Sequence, residues 1–341
     1  MIKSVLGVVA VLFALSQAPT VSHRDVRLTF WAAQSSTVTV RQVWGEAPFL
    51  GDWRSAISPN GRYLAYAGPG QGPRLRALYV RDLLAGVSRP LTTVDPTGFV
   101  VSIVFSPDET LVAYTWYDGE RDDLRRVMLD GSAAPRFSYR SDEWPHLALV
   151  GWSSDGEHML LAVKTGPLSS ETLHFGLMSV ANGSIRILKT FALPYFPSMR
   201  GFSPDGRYAL YDHPARGDSG ERDIFILDIR GGFSAGYNGR ETRLVTRPAD
   251  DRRPRFTPDG RGAVFFSSGA AGEPNSAWYQ RVVDGRPQGS PELLRQDMGP
   301  DAEPIGFTSN GSFYYHIKSD SSNMRAVWVM ENFLPAPPGP R

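Results

Sequence analysis

Short apolar runs, each entered through a polar turn, recur along most of the chain. The runs read "YLAYA", "LVAYTW", "MLLAV" and "YALYD", with apolar residues on both alternating faces. Strands apolar on both faces are sandwiched between sheets, whereas a half-exposed strand alternates. Six related turns precede such runs: "ISPNGRYLAY" from Ile57, "FSPDETLVAY" from Phe105, "WSSDGEHMLL" from Trp152, "FSPDGRYALY" from Phe202, "FTPDGRGAVF" from Phe256 and "FTSNGSFYYH" from Phe307. The Asp or Asn of each turn falls at Asn60, Asp108, Asp155, Asp205, Asp259 and Asn310, at intervals of 48, 47, 50, 54 and 51 residues. That period is long for a solenoid coil and matches a four-stranded propeller blade.

Turn chemistry explains the residue types. Proline presets φ for the first central position, Asp or Asn tolerates the crowded second position, and glycine takes the positive φ that completes the hairpin. The preceding Ser or Thr can bond the turn backbone through its hydroxyl. The pattern has departures: Glu109 replaces glycine in the second copy, and Ser154 replaces proline in the third. Each repeat continues through a polar or glycine-rich hairpin into a third strand ("RALYVRDL", "HFGLMSV", "DIFILDI") and then a fourth ("SRPLTTV", "TRLVTRP"). Helical periodicity is nowhere sustained. The expected fold is all-β, a six-bladed β-propeller of four-stranded blades spanning residues 37–333. The sixth repeat runs into the proline-rich tail 334–341 before any fourth strand, and "TVTVRQVW" (Thr37–Trp44) stands unassigned before the first. This N-terminal strand is expected to complete the sixth blade and close the ring, which removes exposed strand edges.

The N-terminus changes the picture of location. Residues 1–22 carry Lys3, an apolar run from Val5 to Leu15, then small and polar residues. That order is expected of a signal peptide or N-terminal anchor, giving a periplasmic or secreted protein whose membrane contact is confined to this segment. The chain has no cysteine, which excludes disulfides, thiolate metal sites and cysteine nucleophiles. Charge is balanced, 36 basic against 35 acidic residues, so nucleic acid is not an expected partner.

The six boxes, and "DDRRPRFTPDGRGAVFF" (Asp250–Phe266) most closely, resemble the propeller repeats of the TolB C-terminal domain, shared with prolyl-oligopeptidase-type peptidases. The resemblance covers about residues 37–333 and implies a periplasmic propeller that binds protein. TolB-like proteins carry a separate α/β domain before the propeller, and only the stretch between the N-terminal segment and Thr37 is available here. The peptidases carry a hydrolase domain for which no length remains.

Candidate chemistry is sparse. "GFSAG" (Gly232–Gly236) places Ser234 as in a nucleophile elbow, but loop and strand follow instead of the required helix. "GDSG" (Gly217–Gly220) and "GPGQG" (Gly68–Gly72) read as hairpins. Of six histidines, His146 and His213 are the ones a channel could use, and no short metal-ligand spacing occurs. No catalytic residue, metal site or cofactor is expected. The segments that lead into the inner strands should line one channel mouth, where aromatic and arginine side chains anchor protein interfaces. These name Trp53, Arg54, Trp144, His146, Arg200 and Arg253 as binding residues. The expected function is a non-catalytic, monomeric scaffold for a protein or peptide partner in the envelope. The alternative is a lyase or hydrolase with its active site in the propeller channel.

Overall fold

The computed structural model describes residues 38–334 apart from 48–53, 70–74, 96, 167–170, 193–195, 215–219, 232–236, 238, 269–274, 300 and 319–323. Residues 1–22, Ser234 and the tail beyond Leu334 lie outside the described residues. Strand β1 (Thr39–Ala47) comes first. Blade 1 is β2 (Ser55–Ile57), β3 (Tyr63–Pro69), β4 (Leu75–Asp82) and β5 (Val87–Pro90). Blade 2 is β6 (Phe99–Phe105), β7 (Leu111–Tyr117), β8 (Asp122–Met128) and β9 (Arg136–Tyr139). Blade 3 is β10 (His146–Trp152), β11 (His158–Lys164), β12 (Thr172–Ser179) and β13 (Ile185–Ala192). Blade 4 is β14 (Ser198–Phe202), β15 (Tyr208–Pro214), β16 (Arg222–Asp228) and β17 (Glu241–Val245). Blade 5 is β18 (Asp250–Phe256), β19 (Gly262–Ser268), β20 (Ser276–Val283) and β21 (Arg286–Arg295). Blade 6 is β22 (Glu303–Phe307), β23 (Phe313–Lys318) and β24 (Arg325–Glu331).

Five sheets run in sequence order, and the sixth has the order β1-β24-β23-β22. The first strand of the chain is thus the outer strand of the last blade, antiparallel to β24 with Thr39 opposite Glu331 and Gln42 opposite Trp328. The fold is the expected six-bladed propeller, and no helix occurs among the described residues.

The core lies between blades. Blades 1 and 2 share Leu78, Val80, Val100, Val112, Tyr114 and Trp116. Phe175 and Phe191 of blade 3 meet Tyr211 of blade 4 with ring centroids 5.6 and 5.4 Å away. Across the closure, Leu64 and Tyr66 of blade 1 pack with Ile305, Tyr314, Val327 and Val329 of blade 6. The buried runs noted in the sequence are the second strands, such as β11 and β15, whose two faces meet two neighbouring blades.

All six turns have one construction. The hydroxyl of Ser58, Ser106, Ser153, Ser203, Thr257 or Thr308 donates to the Asx Oδ1 two residues on, at 2.5–2.9 Å. The same oxygen accepts a backbone amide four or five residues on, at 2.9–3.1 Å. Each hydroxyl-bearing residue is buried. The glycine that follows has positive φ, 77° at Gly61 and 70° at Gly206, and Glu109 adopts 59° in its place.

The departures from the repeat carry inter-blade contacts. The Glu109 carboxylate accepts the Asn60 amide of blade 1 at 2.7 Å. Ser154 Oγ donates to the Pro204 carbonyl of blade 4 at 3.0 Å. In the sixth copy Ser309 stands at the proline position, and its amide donates to the Pro59 carbonyl of blade 1 at 2.7 Å. A proline there has no hydrogen to give. Ser309→Pro, though it restores the repeat pattern, is therefore expected to lower stability by about 1–2 kcal/mol, read as a lower denaturant midpoint. Excising residues 39–47 leaves β24 with a bare edge and is expected to lower the thermal midpoint by roughly 10 °C or more, measured by calorimetry.

Candidate functional site: the axial channel

The inner strands β2, β6, β10, β14, β18 and β22 surround the axis and end at the six turns. Five of them carry a β-bulge or register shift, between Val100 and Ser102, Leu149 and Gly151, Met199 and Phe202, Arg252 and Arg255, and Pro304 and Gly306. Bulges re-aim side chains and are enriched where strands line sites. At the turn face they open a cavity of about 540 Å³ to which every blade contributes. Its wall holds the six box residues Ile57, Phe105, Trp152, Phe202, Phe256 and Phe307. The residues just before them also line it: Ala56, Val104, Gly151, Gly201, Arg255 and Gly306. Pro59, Pro107, Pro204 and Pro258 form the rim. Among the described lining residues Arg255 is the one that is charged, and neither a carboxylate nor an imidazole is present. Its guanidinium is half-buried and donates to the Pro304 carbonyl at 3.5 Å.

The opposite face is closed by polar contacts between blades. His146, the first residue of β10, sets Nδ1 3.3 Å from Asp122 Oδ2 in blade 2, and that oxygen also accepts the Leu147 amide at 3.2 Å. The two side chains are 8% and 5% exposed. Burial pushes the Asp122 carboxyl up to about 7; the Leu147 amide opposes this, and Asp118 and Asp123 add to it. Burial also lowers the His146 pKa, with Lys164 and Arg121 adding to the effect. The pair is thus a neutral imidazole beside a carboxyl that titrates near neutrality. Around the ring, Arg253 joins three blades. Its amide, at φ 57°, donates to Asp212 Oδ2 of blade 4 at 2.8 Å. Its guanidinium reaches the Ala302 carbonyl and Glu303 Oε1 of blade 6 at 3.2 and 3.1 Å. Glu303 Oε2 lies 3.7 Å from Nε2 of the fully buried His316, and Arg222 binds Asp212 Oδ1 at 2.5 Å.

This arrangement locates the binding residues expected from the sequence. Trp53 lies outside the described residues, as does the side chain of Arg200. Arg54 is half-buried with its guanidinium 5.5 Å from the Phe99 ring centroid of blade 2. Trp144 is 8% exposed and sits edge-on to His174 at 5.4 Å. The four that are described serve contacts within and between blades and do not share an exposed rim. Trp144 leads into β10, and its ring is drawn into the apolar cluster of Leu147, Leu149 and Met159. His146 and Arg253 instead lie within β10 and β18 and are taken up by carboxylates of neighbouring blades. His213 is half-buried, its Nδ1 bonded to the Pro214 carbonyl at 2.8 Å. Asp155, Glu157 and His158 bring ligand atoms within 4.8 Å of one another on the third turn. Asp155 Oδ1, however, already accepts the Ser153 hydroxyl and the Glu157 amide, so the turn itself accounts for the cluster. Arg255 escaped sequence reasoning. The signal was there in the alignment of the boxes, which puts Ala, Val, Gly, Gly and Gly at the matching positions.

No protein-family model matches the chain, and no curated protein matches it in sequence. Among solved structures it is similar to a TolB-type protein from Agrobacterium tumefaciens, with TM-score 0.55 and 18% identity over 88% of this chain and 98% of that one. TolB from Acinetobacter baumannii aligns with TM-score 0.53 and 16% identity over 83% of this chain, which spans 65% of that protein's length. Oligogalacturonate lyase from Vibrio parahaemolyticus aligns with TM-score 0.54 and 14% identity, over 88% of this chain and 96% of that one. These likenesses establish a TolB-like propeller fold, one that hosts both binding proteins and enzymes.

The Asp122 carboxyl yields a stability test. Its folded pKa stands above the ordinary carboxylate value, so the native state binds the extra proton and stability falls as pH rises from about 4 to 7. Asp122→Asn removes that penalty. It is expected to raise the unfolding free energy at pH 8, by up to about 4 kcal/mol. The gain should fade towards pH 4, as followed by denaturant titration across that range.

Proposed function

We propose that the chain is an exported, non-catalytic propeller that binds a protein or peptide partner in the cell envelope, with the turn-face mouth of the channel as its working surface. The observation that carries this reading is the cavity itself: about 540 Å³, lined by all six blades, with the six large apolar box residues in its wall and prolines at its rim. That volume, with apolar rings and hydroxyls side by side in the wall, suits recognition of a peptide segment. The acid–base pairs that catalysis needs are not among its described lining residues. The TolB-like fold and the apolar run behind Lys3 support an envelope location, with membrane contact only through the N-terminal segment and the propeller acting as a monomer.

A second reading has one observation in its favour. Asp122, with its carboxyl poised near neutrality beside His146, has the perturbed character of a catalytic acid. It would make the protein a lyase or hydrolase. Side chains only 5% and 8% exposed leave a substrate little access to the pair.

The test uses synthetic peptide arrays probed with the wild type and with Val104→Trp, which places an indole in the mouth. Binding by the wild type, lost in the variant at unchanged thermal midpoint, is the expected result. Peptides held equally by both proteins would take the site away from the mouth. Turnover of oligosaccharide or peptide substrates that disappears in Asp122→Asn would favour the enzyme.

A further inference from the structure

We infer that a groove between blades 4 and 5, separate from the channel mouth, binds a phosphate ester through Arg240 and Arg286. The groove has a volume of about 390 Å³, the size of a site for a small organic molecule. Its buried base is Tyr208, which follows the fourth turn, and Ile226 of β16. Blade 4 supplies one wall, with Asp228, Arg230, Arg240 and Thr242. The other wall is the β20–β21 hairpin, from Val283 to Arg286, with Gln288 beyond it. Gly285, at φ 72°, lets the hairpin close on the base: a Cβ there would meet Tyr208 Cε1 at 2.6 Å. None of these residues lines the channel mouth.

The polar groups of the groove select an anion. Tyr208, Arg240, Thr242, Arg286 and Gln288 each bring a side-chain donor, and none has a side-chain hydrogen bond or ion pair among the described residues. Asp228 is already taken. Its two oxygens accept Arg230 Nε at 2.9 and 3.1 Å, and that pairing holds the carboxyl below its ordinary range. Asp284, exposed at the hairpin tip, is the one lining carboxylate without an ion pair among the described residues. Two unpaired guanidinia on facing walls therefore outnumber one carboxylate. Geometry narrows the class of anion. A planar carboxylate is matched by the fork of a single guanidinium. Donors on two walls suit a tetrahedral group, whose oxygens point to both blades at once. The volume exceeds what an inorganic ion fills, so the phosphate is carried by an organic body. Arg240 and Arg286 are exposed, which leaves the groove open to a soluble ester or to a lipid headgroup.

The experiment titrates the protein calorimetrically with glucose 6-phosphate, glucuronate and glucose. It is paired with flotation on vesicles of phosphatidylglycerol, with phosphatidylcholine as the neutral control. The wild type is expected to bind glucose 6-phosphate, glucuronate at least about tenfold more weakly, and glucose not at all. Binding should weaken as salt is raised. Arg240→Gln combined with Arg286→Gln should lower the affinity at least about tenfold at an unchanged thermal midpoint, and Asp284→Asn should raise it. Retention on phosphatidylglycerol vesicles alone, lost in the double variant, would support the site and make a lipid headgroup the source. The comparison of ligands on the wild type needs no variant, so a destabilised double variant leaves the test intact. Glucuronate held as tightly as glucose 6-phosphate would overturn the choice of a phosphate. Phosphate-ester binding unchanged in a folded double variant would take it away from this groove, and no binding of any probe would overturn the site. Val104→Trp should leave the binding intact, so this site and the channel mouth stand or fall separately.

Discussion

One buried hydroxyl per blade holds the architecture at its turns. At Ser58, Ser106, Ser153, Ser203, Thr257 and Thr308 a side-chain oxygen gives its hydrogen to the Asx carboxylate or amide and accepts a backbone amide from the start of the next strand. Both ends of the hairpin are pinned by the same atom. Without it a buried amide loses its partner, which costs about 1–3 kcal/mol, and six such losses compare with the whole stability of a domain. The turn sequence is therefore a hydrogen-bonding requirement before it is a repeat signature. The cavity depends on it as well, because these turns set the level at which each inner strand ends.

That dependence explains how much could be read from the residues alone. Each turn is local, so "SPDG" and its variants reveal their structure without reference to the rest of the chain. Period, strand order and even the closure by β1 follow from counting turns and asking where a fourth strand was missing. Contacts between blades are different in kind. Glu109 and Ser154 looked like imperfect copies, yet each reaches the turn of a neighbouring blade. Ser309 replaces proline for the same reason. Their partners lie 49 or more residues away in sequence, so no local rule exposes them. Trp144 and His146 belong to a segment that leads into an inner strand, a position that suggests the rim of a channel mouth. Only the packing of blade 2 against blade 3 shows that both are buried.

The chain's basic residues divide along the same line. Lysine occurs only at Lys3, Lys164, Lys189 and Lys318, so nearly all of the 36 basic residues are arginines. Many are spent on rings and carboxylates. Arg81 of blade 1 lies 4.5 Å from the Trp44 ring centroid of β1, across the ring closure. Arg247 stacks 3.8 Å from Trp278 while binding the buried Asp251. A guanidinium can do both at once because its face and its edge are chemically separate. Arginine thus gives blades with little shared backbone bonding a way to hold one another through side chains.

Against that background the two faces of the propeller are unlike in their chemistry. On the hairpin face, charged groups are turned inward and paired from blade to blade: Asp122 with His146, Asp212 with the Arg253 amide, Arg253 with Glu303. Such a face is costly to open, since separating any pair strands a buried polar group. The turn face keeps its polar groups inside the turns, where the Ser or Thr hydroxyl and the Asx oxygen satisfy each other, and leaves the axis to glycine, aromatic rings and proline. Arg255 is the one charged side chain among the described residues of the mouth, and it too joins blades, donating to the Pro304 carbonyl of blade 6.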